Sequence, residues 1–237
     1  MKILITGCAG FIGFHLANQL LKKNNELIGI DNLNKYYDVN LKKNRIKELQ
    51  KNKNFKFFKI DLINKNKVNK IINKYKIKFI VHLAAQAGVR YSITNPETYF
   101  KNNLNVFFNI LELSRENKIR HLVFASTSSV YGENSFFPLK ESANTDKPVS
   151  FYAATKKSNE VMAYSYSYIY KLPCTALRFF TVYGPYGRPD MALFKFTENI
   201  LNNKKIELYN YGNHTRDFTY IDDIVNGIIS IIKKPFK

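Results

Sequence analysis

A chain of 237 residues that is 45% hydrophobic can bury a core of domain size, and its net charge of +19 raises a nucleic-acid reading that the placement of the charge argues against. The 37 lysines and arginines are scattered with asparagine through "KKNNE", "KKNRIKELQKNKNFK" and "NKNKVNKIINKYK", the pattern of solvated helix faces and not of a basic patch. Cys8 and Cys174 fit neither a disulfide nor a metal spacing, and His15, His82, His121 and His214 are dispersed; a reducing, cytoplasmic compartment without a metal site is expected, and no apolar stretch is long enough for a membrane.

In chain order, "KILIT" (2–6) reads as a strand that runs through a glycine turn into a helix over 11–23. Thr6, Gly7, Gly10 and His15 break the apolar run, so this beginning is not read as a signal peptide. Strands follow at 26–31, 55–61, 79–85, 121–126 and 173–180, with helices over 41–50, 68–76, 96–117 and 151–171 between them. Strands separated by helices pair in parallel, because a parallel return needs a crossover, so the expected fold is a doubly wound α/β sheet. After residue 180 the rhythm changes. "TVYGPYGRPDM" is rich in Gly and Pro, and a short helix over 192–201 and a strand at 206–211 follow, the start of a smaller second lobe.

Two local patterns carry chemistry. In "ITGCAGFIG", Gly7, Gly10 and Gly13 lie between a strand and a helix, where glycine allows a tight turn and close approach of a pyrophosphate to free helix N–H groups. Asp31 ends the second strand about 20 residues further on, placed to accept from a ribose 2′-hydroxyl and to repel a 2′-phosphate, which favours NAD over NADP. Asp61, at the end of the third strand, is a candidate for the adenine edge. In "SFYAATKKSNE", Tyr152 and Lys156 stand at i and i+4 on one helix face, and of the 16 tyrosines only Tyr152 has a basic residue at that spacing.

These segments, with "DNLN", "HLAAQAGVRYS", "STSSVYG", "YAATK", "LRFFTVYGPYGRPDMALFKF" and "RDFTYIDD", resemble the extended short-chain dehydrogenase/reductase family of nucleotide-sugar epimerases, and most closely its UDP-glucuronate 4-epimerases. The resemblance runs the whole length of the chain. It implies a Rossmann domain over 1–180, and over 181–237 a partial substrate lobe with a segment that returns to the first domain. It implies NAD bound permanently near Gly7, Gly10, Phe11, Ile12, Gly13, Asp31, Asn32, Asp61, Leu62, Leu83, Ala84, Ala85 and Asn103, although Val106 stands where many relatives have glycine.

By the same resemblance Tyr152 is the acid/base, Lys156 its tuner, and Thr127 a hydrogen-bond partner of the reacting oxygen. Lowering a phenol from about 10 to about 7 takes about 4 kcal/mol, which a cation about 4 Å away in a medium of effective dielectric about 20 supplies. Related dehydratases carry an acid just after the threonine. Here Ser128 and Ser129 are neutral, which points to plain 4-epimerisation of a UDP-sugar. Arg90, Thr127, Ser128, Ser129, Thr181, Arg188 and Arg216 are the implied substrate residues, with Arg188 near a uronate carboxylate and Arg216 at the diphosphate.

Family members continue well past residue 237, so a fragment or a shortened lobe is expected. A UDP-N-acetylhexosamine(uronate) epimerase and an NAD-binding protein without turnover remain the alternatives. In this family the helices here read at 96–117 and 151–171 pair with their copies in a homodimer, and Phe107, Phe108, Met162, Tyr166 and Ile169 supply apolar and aromatic surface for it.

Overall fold

The computed structural model describes residues 1–133, 137–213 and 215–235; His214 lies outside them. Among the described residues, β1 (Lys2–Thr6), β2 (Glu26–Asp31), β3 (Phe55–Lys59), β4 (Phe79–His82), β5 (His121–Ala125) and β6 (Cys174–Leu177) form one parallel sheet in the order β3-β2-β1-β4-β5-β6. The strand order reverses direction between β1 and β4, so a crevice opens there beyond the carboxyl ends of the strands.

Neighbouring residues of each strand serve opposite faces, as the pleat requires. Ile3, Ile5, Val81 and Val123 join one apolar cluster, covered by α1 (Phe11–Lys22), α2 (Val39–Gln50) and α9 (Ile221–Ile232). Leu4, Ile80, Leu122 and Phe124 join the other, covered by α3 (Lys65–Tyr75), α6 (Val106–Glu116) and α7 (Phe151–Tyr170). Helix α9 buries Ile221, Val225, Ile228 and Ile232 against the first cluster, and so brings the end of the chain back beside α1.

Several expectations need correction. The strand at 173–180 ends at Leu177, and β7 (Thr181–Tyr183) instead pairs in parallel with β8 (Phe218–Tyr220) in a separate two-stranded sheet. Residues 206–208 are irregular and Tyr209–Gly212 forms a 3-10 turn, so no strand occupies 206–211; Leu208 is exposed. The strands at 55–61 and 79–85 stop at Lys59 and His82, where the chain turns to line the crevice.

The helix at 96–117 is not continuous. It is preceded by α4 (Tyr91–Thr94), begins as α5 (Pro96–Tyr99), passes through a π-helical turn (Phe100–Asn105) and resumes as α6. Phe107 is fully buried and Met162 and Tyr166 pack partly against the second cluster, whereas Phe108 and Ile169 are exposed. Helix α8 (Ala192–Leu201) buries none of its residues. Among the described residues, no helix is long and apolar enough to cross a membrane.

Candidate active site

Beyond the carboxyl ends of β1, β2, β4 and β5 lies a cavity of about 1160 Å³. Its floor is the β1–α1 turn, and two glycines there have no substitute. Gly7 has φ +73°, and a Cβ on it would stand 2.7 Å from the backbone nitrogen of Ala84. A Cβ on Gly13 would stand 2.2 Å from the carbonyl oxygen of Gly7. Gly10 precedes α1 without a side-chain cap, so the first N–H groups of that helix are left without intrahelical partners. Gly10, Phe11, Ile12 and Gly13 line the cavity beside them, a cradle for an anion.

The Asp31 carboxylate accepts from the backbone N–H of Ala9 at 3.1 Å and of Leu33 at 2.8 Å. Burial pushes its pKa up, opposed by the Leu33 hydrogen bond and the Lys42 charge. Asp61 accepts from the Asn32 amide at 3.3 Å and from the backbone of Ile63 at 3.0 Å. Both acids line the cavity with Asn32, Leu62, Leu83, Ala84 and Ala85. The glycine cradle, the open helix end and the acid that closes β2 fit the phosphates and ribose of a dinucleotide.

A second wall comes from α7. Ser150 caps its start by accepting from the N–H of Ala153 at 3.1 Å. Tyr152, Lys156 and Glu160 then recur every fourth residue, one helix face directed at the end of β5. Lys156 Nζ donates to the carbonyl of Ala125 at 2.9 Å. Glu160 accepts from the Ser126 hydroxyl and from Arg178. Tyr152 hydrogen-bonds with Thr127.

Burial pushes the Tyr152 phenol up, opposed by its hydrogen bond with Thr127 and by the charge of Arg188. Lys156 is 2% exposed, its ammonium is committed to Ala125, and burial pulls its pKa down to about 8.

Thr127, Ser128, Ser129, Thr181, Arg90 and Arg188 all line the cavity with Tyr152 and Lys156. The Thr127 hydroxyl accepts from the Ser129 N–H and donates to its hydroxyl, both at 3.2 Å. Arg188 Nε donates to Asp190 at 3.0 Å and a second N–H meets the other carboxylate oxygen. Against its burial, Asp190 pushes the pKa of Arg188 up and keeps it charged.

Two expected residues are not brought to the cavity. Asn103 is buried in the π-helical turn, where its side chain holds both the N–H of Gln86 (2.8 Å) and its carbonyl (3.0 Å) and donates to Thr155. Arg216 is exposed, and its guanidinium donates to the adjacent carbonyl of Thr215. Conversely Tyr36, Tyr37, Lys42, Gln86 and Asp190 line the cavity without having been singled out. Of these, Lys42 carried a signal, since it recurs with Ile46 and Leu49 at the helical spacing that faces inward.

The model of the NAD dependent epimerase/dehydratase family matches residues 3–237. The chain is 57% identical over 235 residues to Protein CapI of Staphylococcus aureus, an alignment that takes in 99% of this chain and 70% of that protein. It is 46% identical over 230 residues to UDP-glucuronate 4-epimerase of Thermodesulfobacterium geofontis, across 97% of this chain and 71% of the relative. Among solved structures it is similar to the UDP-glucuronic acid 4-epimerase of Bacillus cereus in complex with UDP-glucuronic acid and NAD, with a TM-score of 0.93 and 38% identity over 99% of this chain and 74% of that one.

Proposed function

The chain belongs to the NAD dependent epimerase/dehydratase family, and from that membership and its cleft we propose that it interconverts UDP-glucuronate and UDP-galacturonate at the sugar C4, with NAD as its resident cofactor. The observation that carries the reading is one cavity lined at once by the glycine cradle, by Tyr152 with Thr127, and by Arg188. The Bacillus and Thermodesulfobacterium relatives lend the uronate its support. In this reading residues 1–180 hold the cofactor and the acid/base, and residues 181–237 contribute part of the sugar site.

The cradle of Gly7, Gly10 and Gly13 with the α1 N–H groups would hold the pyrophosphate, and Asp31 the adenosine ribose. NAD, when bound, supplies a reversible hydride acceptor and a positive ring charge. Tyr152 takes the proton of the C4 hydroxyl as that carbon is oxidised and returns it when the keto sugar is reduced on its other face. Burial keeps the phenol protonated in the free chain, so positive charge must act on it before it serves as a base near neutrality. Arg188 already contributes some of that charge. Thr127 steers the oxygen, and Lys156 fixes the end of β5 through Ala125. Ser128 and Ser129 offer the sugar neutral hydroxyls, with no acid for elimination. Arg188 offers its cation to the uronate carboxylate, held in place by Asp190.

Incubation of the purified chain with UDP-glucuronate should yield UDP-galacturonate by chromatography without lasting NADH absorbance. Tyr152→Phe should abolish the product while NAD content stays the same. Net accumulation of NADH would make the protein a dehydrogenase. Arg188→Ala should reduce turnover of the uronate far more than of neutral UDP-sugars, and equal losses would refute the carboxylate assignment.

A further inference from the structure

Helix α2 presents Lys42, Arg45, Ile46 and Leu49 to the interior, a stripe at helical spacing that includes a fully buried guanidinium. Arg45 spends its donors on oxygens from three separate stretches of chain. One terminal nitrogen donates to the carbonyl of Ala9 and to the Tyr37 hydroxyl, each at 2.9 Å. The other donates to the carbonyl of Gly187 at 3.2 Å and to that of Tyr186. Nε is buried without a partner. An apolar side chain would fill this stripe position without the several kcal/mol that desolvating a cation costs.

What the guanidinium joins is informative. Ala9 lies inside the glycine cradle, between Gly7 and Gly10. Tyr186 and Gly187 immediately precede Arg188. Helix α1 grips the same segment independently: His15 Nε2 meets the carbonyl of Pro185 at 2.8 Å, and the Phe14 and Tyr186 rings lie 5.5 Å apart. Tyr186 has φ +55°, a left-handed conformation that costs a tyrosine about 1 kcal/mol or more and persists only where surrounding contacts impose it.

We propose that Arg45 is a positioning residue that fastens the 185–188 segment to the phosphate loop, so that the dinucleotide site and the cation offered to the sugar form as one unit. It rests on the reading above only in naming what Arg188 binds. The fastening itself is measurable without any substrate.

The test is amide hydrogen exchange of the cofactor-free chain, with NAD binding titrated alongside, for the wild type, Arg45→Met and Arg45→Lys. Loss of hydrogen bonds to a buried charge predicts exchange at Tyr186, Gly187 and Arg188 that is about tenfold faster in Arg45→Met, and NAD binding that is about tenfold weaker. Amides of β4 and β5 should be unchanged. Arg45→Lys, which keeps the charge but not the fork, should fall between. With UDP-glucuronate, KM should rise by more than kcat falls. Unchanged protection at 186–188 in a folded variant overturns the proposal. So does uniform loss of protection, or failure of both variants to fold, since Arg45 would then support the core as a whole. Absence of turnover in every form, with the exchange pattern as predicted, would count against the epimerase reading alone.

Discussion

Replacing Lys156 with methionine separates two accounts of what this amine does. It is 2% exposed, donates to a neutral carbonyl at 2.9 Å, and is pulled from 10.5 to about 8 by burial. Between those values the unfolded chain binds a proton that the folded chain has released, so stability rises with pH through that window. The cost is present in full below about 8, where 2.5 units amount to about 3 kcal/mol, and it is gone above 10.5. Working the same linkage at pH 9.5 returns about 2 kcal/mol of it. Methionine also leaves the Ala125 carbonyl without its donor, a loss that does not depend on pH. The stability difference between variant and wild type should therefore move in favour of the wild type by about 2 kcal/mol from pH 7 to pH 9.5. Urea unfolding of the cofactor-free proteins, followed by circular dichroism at several pH values, measures it. A difference that stays flat means the amine bears no burial cost. A shift in favour of the variant means that Lys156 has an anionic partner, such as an ionised Tyr152, and the assignment of its role to Ala125 fails.

His82 and the surface of α7 give two further tests. His82 is buried, shares a 2.7 Å hydrogen bond with the Thr6 hydroxyl, and is pulled down to about 3 by burial and then by the charge of Lys156. Its contribution is present above 6.5 and is lost as pH falls towards 3, so the wild type should lose about 2.5 kcal/mol more than His82→Asn between pH 7 and pH 4.5, and parallel acid unfolding of the two proteins would refute this. Val161, Tyr164 and Tyr168 are exposed at helical spacing along α7; we propose that this stripe mediates a homodimer, which sedimentation should detect and Tyr168→Glu should dissociate, and a monomeric wild type would end the idea.

What could be read from the sequence divides by the range of the forces involved. The six-stranded sheet was legible because apolar runs such as "KILIT" and "HLVFAS" report local burial; the first became the strand expected and the second did so up to Ala125. The cradle was legible because part of the need for glycine is local, Gly13 crowding Gly7 and Gly7 holding a positive φ, although Gly7 also meets the distant backbone of Ala84. The strand expected at 206–211 failed for the opposite reason. Its residues alternate as a strand would, but β7 takes β8 as its partner, 35 or more residues away, and pairing of that kind leaves no local trace.

The π-helical turn was hidden because one residue more per turn barely disturbs a 3.6-residue pattern, yet it is this turn that carries Asn103 to Gln86. The roles of the charges were the least legible. In a chain with 37 basic residues, Lys156 beside Tyr152 looks like a tuner and Arg45 in "KKNRIKEL" looks like a solvated face. The structure adds what that pattern does not carry, one ammonium donating to a carbonyl and one guanidinium held in the interior. A charge repeated at the spacing of its apolar neighbours is the sign the sequence did hold. Arg45 meets that criterion with Leu49 at i+4, and its buried side chain holds the phosphate loop and the Arg188 segment together.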